Sequence, residues 1–252
     1  MSISAKYNMI YQPLVERILQ EESLQADPVK ATKTRLHKLF GAYIRTGVHK
    51  RAEKLLSKGL LEELIDLHVS TKERKNHYSE FYGYVFETVG KPNSVLDLGC
   101  GFNPFTLSNY GSSLSSYTAI DIDIRTRDLL NSFFQVKGLP LLAECKDLVN
   151  ETPNNTADLG LMLKLMPLIE SEQTNRGFML ANGLNVKHLV ITYPIKSISG
   201  KSKNMEHNYS ASFENAVDSG LLDNFNFLPK KIIGNELIYI GFRRVHEVFP
   251  IA

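Results

Sequence analysis

Apolar positions follow two different rules along this chain. Over residues 1 to 90 they recur at helical spacing. "NMIYQPLVERILQEE" has an apolar stripe, and "DPVKATKTRLHKLFGAYI" opens with Asp27 as N-cap and Pro28 at the first helical position. "GLLEELIDLHV" is a short amphipathic stretch, and Ser70-Thr71-Lys72-Glu73 fits a capping box opening a helix through "FYGYVFETV". From Ser94 the rule changes. Short apolar runs "SVLDL", "YTAID", "LGLML" and "HLVITY" alternate with helix-like segments such as "TRDLLNSFFQVKG" and "SEQTNRGFMLANGL". That alternation predicts a parallel sheet with helices on both faces. The end differs again. "FNFLPKKIIG" and "NELIYIGFRR" meet directly at Gly234-Asn235, so the sheet finishes in an antiparallel hairpin.

A smaller helical domain, residues 1–90, therefore precedes an α/β domain, residues 91–252. A parallel α/β sheet closed by a hairpin resembles the Rossmann-like sheet of class I S-adenosylmethionine-dependent methyltransferases. Fold alone does not settle chemistry. The turn after the first strand, "LDLGCGFNP", narrows it. Its Gly99-x-Gly101 is followed by Phe102-Asn103-Pro104, so the third glycine of the dinucleotide fingerprint is missing. Ligands in open α/β sheets sit beyond the carboxyl ends of the strands, where Asp97 closes the first strand and Asp121 the second. "CKDL" follows the third strand and sets Asp147, with Leu148 beside it, at the same edge. A carboxylate at Asp121 can accept from two ribose hydroxyls, and one at Asp147 from an adenine amino group. Three acids at successive strand ends suit an adenosine bearing a sulfonium and repel a pyrophosphate. Asp123 in "DID" rivals Asp121, which is preferred because the apolar run ends there. The bland alternative is that these acids cap helices and turns.

Composition changes this picture little. Hydrophobic content of 43% and charged content of 22% are ordinary, and no apolar run approaches a membrane span. Two cysteines exclude a disulfide framework and a four-cysteine zinc site, so no metal is expected and a cytoplasmic location is. The distribution of charge says more than the net +2. Nine Lys or Arg and one acid, Glu53, lie between Lys30 and Lys58. A charge run is usually a solvated face; this one is lopsided enough to weigh toward phosphate contacts through Lys30, Lys33, Arg35, Lys38, Arg45, Lys50, Arg51 and Lys54. Lys196, Lys201 and Lys203 in "PIKSISGKSK" offer a second basic contact.

Some signatures are absent. No Pro-Cys pair marks a cytosine C5 nucleophile, and Cys100 lies inside the glycine turn. The Asn/Asp-Pro-Pro-Tyr of amino methylation is replaced by "KLMPLIE".

Five blocks then carry a family resemblance: "STKER", "LDLGCGFNP", "LKLMPLIE", "YPIKSISGKSKNMEHNY" and "IIGNELIY". Over residues 30 to 242 the chain resembles the aminoglycoside-resistance 16S ribosomal RNA methyltransferases of the Arm and Rmt kind. The resemblance implies S-adenosylmethionine-dependent methylation at N7 of guanosine 1405 in helix 44, within the assembled 30S subunit. It implies resistance to 4,6-disubstituted deoxystreptamines such as gentamicin and kanamycin. It also implies that Arg74 meets the cofactor carboxylate and that Asp121 and Asp147 meet ribose and adenine. Asp97, Gly99, Gly101, Asn103 and Leu148 complete the expected cofactor site, and a monomer with no membrane or metal partner is expected. Guanine N7 carries a lone pair and no proton, so proximity and alignment suffice. Glu206 and Glu236 are candidates to stabilise the cationic product. Lys164 is a candidate for touching the base or rRNA, or else an ion-pair partner of a site acid. Glu206 can equally be a first-turn helix acid. The rival readings are an adenine-1408 N1 methyltransferase, a small-molecule methyltransferase, and a non-catalytic ribosome-binding or assembly protein.

Overall fold

A computed structural model describes residues 7–41, 47–107, 114–138, 141–196 and 204–244. Helices lead, as the periodicity requires. They are α1 (Gln12–Glu21), α2 (Pro28–Leu36), α3 (Val48–Ser57), α4 (Leu61–Ile65), α5 (Val69–Arg74) and α6 (Tyr78–Val89). Asp27 caps α2 by accepting from the Lys30 N–H at 2.9 Å, with Pro28 in the first turn. In α6, Tyr78, Phe81, Tyr82 and Val85 are buried, an i, i+3, i+4, i+7 stripe. The capping box at Ser70 does not form. His68 precedes α5 as its N-cap, Ser70 lies inside that helix, and Thr71 Oγ1 donates to the Ile65 and His68 carbonyls. A 3-10 turn, Lys75–His77, then separates α5 from α6.

The sheet follows: β1 (Ser94–Leu98), α7 (Pro104–Leu107), β2 (Ser116–Asp121), α8 (Ile124–Lys137), β3 (Leu141–Cys145), β4 (Thr156–Leu163), α9 (Met166–Glu172), α10 (Arg176–Gly183) and β5 (Asn185–Pro194). After these come α11 (Met205–Asp218), β6 (Phe225–Phe227), β7 (Lys231–Ile233) and β8 (Glu236–Arg243). Strand order is β3-β2-β1-β4-β5-β8-β6, with β7 also on β8. β1 to β5 are parallel and β8 runs antiparallel to β5. The expected hairpin is present as β7–β8, turning at Gly234-Asn235. The first of its two runs is, however, split into β6 and β7 around Pro229, which has no N–H for a ladder. Gly234 has φ +56°, and a Cβ there would lie 2.5 Å from His77 Cδ2. Only glycine lets the hairpin tip seat on the turn after α5.

Both sheet faces are buried by period-2 alternation. Val95, Tyr117, Ala119 and Leu161 pack with α3, α4, α6 and α8. Leu96, Leu98, Ile120 and Met162 pack with residues of α9, α10 and α11. Helices from Val48 onward thus share a core with the sheet, while residues 7 to 36 contribute to a small apolar cluster of their own.

Candidate cofactor site

The strand order reverses between β1 and β4, and the cavity opens at the carboxyl ends there, as the topology requires. Its floor is the turn after β1. Gly99 (φ +63°) and Gly101 (φ +49°) are left-handed. A Cβ on Gly99 would meet Leu165 Cδ1 at 2.7 Å, and one on Gly101 would meet His68 Nε2 at 2.8 Å. The glycines are therefore demanded by neighbouring side chains as well as by the turn. The Gly101 N–H donates to Asp121 Oδ2 at 2.9 Å, and the Ile122 and Asp123 N–H groups donate to Oδ1. Burial pushes the Asp121 carboxyl up despite those three donors.

The choice between the two acids of "DID" is geometric. Asp121 lines the cavity. Asp123 is buried as the N-cap of α8, accepts from Arg125, and lies 3.2 Å from His49 Nε2. Asp97 sits beneath the turn, not on the cavity wall. Its Oδ2 accepts from Tyr117 Oη and Asn103 Nδ2, while Oδ1 is buried with no hydrogen-bond partner among the described residues. Burial raises its pKa to about 6, against those hydrogen bonds. Asn103 lines the cavity and passes the network on, its Oδ1 accepting from Tyr82 Oη at 2.8 Å and from Arg74 at 3.3 Å.

Arg74 closes one end. Its Nε and Nη2 donate to Glu236 at 2.8 and 2.9 Å. Three of its five N–H groups are thus directed within the protein, which leaves two for a ligand. Lys164 has φ +58° and its Nζ lies 2.7 Å from Glu73 and 3.4 Å from Glu236. Its main-chain N–H donates to Thr192. Of the two readings of Lys164, the ion pair is realised, and the side chain also lines the cavity. The expectation for Glu236 is corrected. It is a buried counter-ion; burial opposes its ionisation, but Arg74 and Lys164 outweigh that and hold its pKa low. Glu206 is corrected too. It stands half-exposed in the first turn of α11, 4.0 Å from Lys230, away from the cavity lining.

At the other end, Asp147 and Leu148 line the wall, and Asp147 accepts from Arg17 Nε at 2.6 Å and from the Val149 N–H at 3.1 Å. Arg17, Leu14 and His68 complete the cavity and were not singled out from the sequence. Arg17 had one visible signal, Glu21 four residues on. Its partner Asp147 is a contact no local spacing encodes. His68 stacks on Phe102 at 5.5 Å, and burial, then the Arg74 charge, lowers its pKa to about 4. Burial pushes the Cys100 thiol well up, so it is no nucleophile at neutral pH.

The basic segment divides. Lys50, Arg51 and Lys54 are exposed on α3, opposite the buried Val48, Ala52 and Leu55, and have no ion pair among the described residues. Lys30 and Lys38 are exposed, Lys33 is half-buried, and Lys196 is exposed at the end of β5. Arg35 is a correction: its guanidinium is taken by Glu21, Glu22 and Glu172 and is not a solvated cation. Arg45, Lys201 and Lys203 lie outside the described residues. Among the described residues, no group of three His, Cys, Asp or Glu is placed to share an ion, and no helix is long and apolar enough to cross a membrane.

The chain is similar to known proteins along nearly its whole length. A family model described as ribosomal RNA methyltransferase (FmrO) matches residues 3–240. A 16S rRNA (guanine(1405)-N(7))-methyltransferase of Serratia marcescens is 35% identical, with 94% of this chain and 93% of that protein covered. One of Micromonospora rosea is 30% identical, covering 94% and 92%. Among solved structures, the 16S rRNA methyltransferase RmtF in complex with S-adenosyl-L-homocysteine superposes with a TM-score of 0.87 at 29% identity, covering 96% of this chain and 95% of that one. The 16S rRNA methylase RmtB gives 0.84 at 33%, covering 96% and 94%. The fold is that of the class I S-adenosylmethionine-dependent methyltransferases, as its strand order and terminal hairpin led one to expect.

Proposed function

The chain belongs to the ribosomal RNA methyltransferase (FmrO) family, and from that premise we propose that it methylates N7 of guanosine 1405 in 16S rRNA, the atom its relatives are named for. The observation that carries the reading is the convergence of Arg74, Asp121 and Asp147, from three distant segments, on one cavity at the switch point of the sheet. Strand-end carboxylates along one side and the Arg74 guanidinium at the other end fit S-adenosylmethionine. Asp121 would hold the ribose, Asp147 and Leu148 the adenine end, and Arg74 the carboxylate. When bound, the cofactor supplies an electrophilic methyl group on a sulfonium.

The chain's own residues then have only to hold and align. Arg74, Lys164, Glu73 and Glu236 sum to no net charge, so the cluster adds no repulsion to a sulfonium or to a guanine becoming cationic. Lys164, fixed between two acids, is a positioning residue in this scheme. No general base is needed, because N7 has no proton to lose. His68 is neutral at physiological pH and Cys100 is a thiol, so neither titrates there. The substrate is the assembled 30S subunit, reached in the cytoplasm at helix 44. The exposed Lys50, Arg51 and Lys54 on α3 contact rRNA phosphates there, and Lys196 contacts rRNA nearer the cavity. The modification confers resistance to gentamicin and kanamycin.

Borohydride and aniline cleave RNA at N7-methylguanosine, so primer extension on 16S rRNA from expressing cells should stop at position 1405 only when the protein is present. A methyl group at adenine 1408, or resistance reaching neomycin and apramycin, would refute the guanine assignment. Unmodified rRNA in cells shown to contain the protein would refute methylation of this RNA altogether.

A further inference from the structure

Helix α1 forms a wall of the cofactor cavity, and α2 packs against α1. Leu14 and Arg17 of α1 line it directly. The segment is fastened at two places. Ile10 bridges Asp123, the Tyr11 N–H donates to the Ile122 carbonyl at 2.8 Å, and the Ile124 N–H donates to the Met9 carbonyl at 2.9 Å, so the chain before α1 runs along the end of β2. Ile122, on that short ladder, is itself a cavity residue.

The second fastening is ionic. Arg17 donates through Nε to Asp147 and also reaches Glu172 at 3.6 Å and Glu21 at 3.0 Å. Arg35 donates through Nε to both oxygens of Glu172 at 3.0 and 2.9 Å, with Glu21 and Glu22 on its other nitrogens. Glu172 is the informative member. Its side chain is only 5% exposed, it lines the cavity, and it is the last residue of α9, where the helix dipole disfavours an anion. Both of its ion-pair partners come from the first 36 residues. A buried acid at the wrong end of a helix is tolerable only with its cations present. The cavity's Asp147 and Glu172 therefore require α1 and α2 in place.

We propose that Arg17 is a cofactor-positioning residue: it orients the Asp147 carboxylate at the adenine end and, with Arg35 on Glu172, holds α1 and α2 as a wall that closes over the bound nucleoside. The inference rests on the reading that this cavity takes S-adenosylmethionine. By linkage, whatever strengthens the seating of α1 strengthens cofactor binding, and bound cofactor protects α1 in return.

The test is titration calorimetry with S-adenosylhomocysteine on the full chain, with hydrogen exchange across residues 12 to 36. Arg17→Met keeps the length and removes the donors; it should weaken binding about tenfold, the scale of one charge-assisted hydrogen bond. Arg17→Lys should recover part of that loss. KM for S-adenosylmethionine should rise, with kcat at saturation nearly unchanged. The ligand should slow exchange of α1 in the wild type and much less in Arg17→Met. Glu172→Gln, which loosens α1 without touching Asp147, should show the same loss in milder form. Equal affinity of wild type and Arg17→Met would overturn the proposal, as would ligand-induced protection that is the same in both. A wild type that binds no S-adenosylhomocysteine would instead overturn the cofactor reading itself.

Discussion

The cations carried by the N-terminal helices fall into two groups that are opposites in space. On α3, Lys50, Arg51 and Lys54 face solvent with no ion pair among the described residues, because Val48, Ala52 and Leu55 occupy the buried stripe. On α1 and α2, Arg17 and Arg35 point inward onto Asp147 and Glu172. A count of cations between Lys30 and Lys58 treats Arg35 like the α3 cations, as a candidate phosphate ligand. What separates them is whether a carboxylate from a distant segment waits on the same side of the helix. Arg74 is the extreme case, 2% exposed and doubly bonded to Glu236, 162 residues away.

The comparison breaks most visibly at the buried end. Arg74→Met strands Glu236 in the core with Lys164 as its one remaining cation among the described residues. Removing one partner of a buried pair costs about 3–5 kcal/mol, so urea unfolding should show a loss of that size together with loss of S-adenosylhomocysteine binding. A variant as stable as the wild type would mean that Arg74 is far better solvated than its burial implies.

The exposed end should behave in reverse. Changing Lys50, Arg51 and Lys54 together to Glu should leave the unfolding midpoint and cofactor affinity where they were. Affinity for the 30S subunit should fall by about tenfold or more at physiological salt, and its salt dependence should flatten. Subunits methylated at the wild-type rate would show that this face is only solvated.

Two buried groups make stability contributions that respond to pH in opposite senses. Asp97 has its pKa raised from 3.8 to about 6, so the folded state binds more protons than the unfolded one between those values. Its contribution to stability is complete below about pH 4 and is lost as pH rises through 6. His68 is lowered from 6.5 to about 4, so its contribution is complete above 6.5 and is lost as pH falls through 4. Relative to wild type, Asp97→Asn should gain stability between about pH 4.5 and 7, and His68→Asn should lose it. Parallel denaturant series at the two pH values would check the signs; slopes of the same sign would contradict them.

Much of the fold could be read directly. The apolar runs from Ser94 onward mark strands because both sheet faces are buried, and Asp27-Pro28 marks a helix start by local hydrogen bonding. The capping box at Ser70 misled, because the chain before it starts the helix early at His68. Asp121 and Asp147 were legible at the cavity because strand ends share one edge in a parallel sheet. Glu206 and Glu236 were not separable by sequence: both are acids in distinctive blocks, but one faces solvent and the other an arginine.

By itself, then, the sequence determined the order of elements, the glycine turn and the acids at the strand ends. Each depends on interactions within a few residues or on the period of a single element. Only the tertiary structure decided which cations lack an ion pair among the described residues, which acid of "DID" lines the cavity, and that α1 walls that cavity. Those outcomes depend on pairs such as Arg17 with Asp147, 130 residues apart, which meet only when the helices close onto the sheet edge. The energy of such a pair comes from burial that no local stretch of sequence can impose.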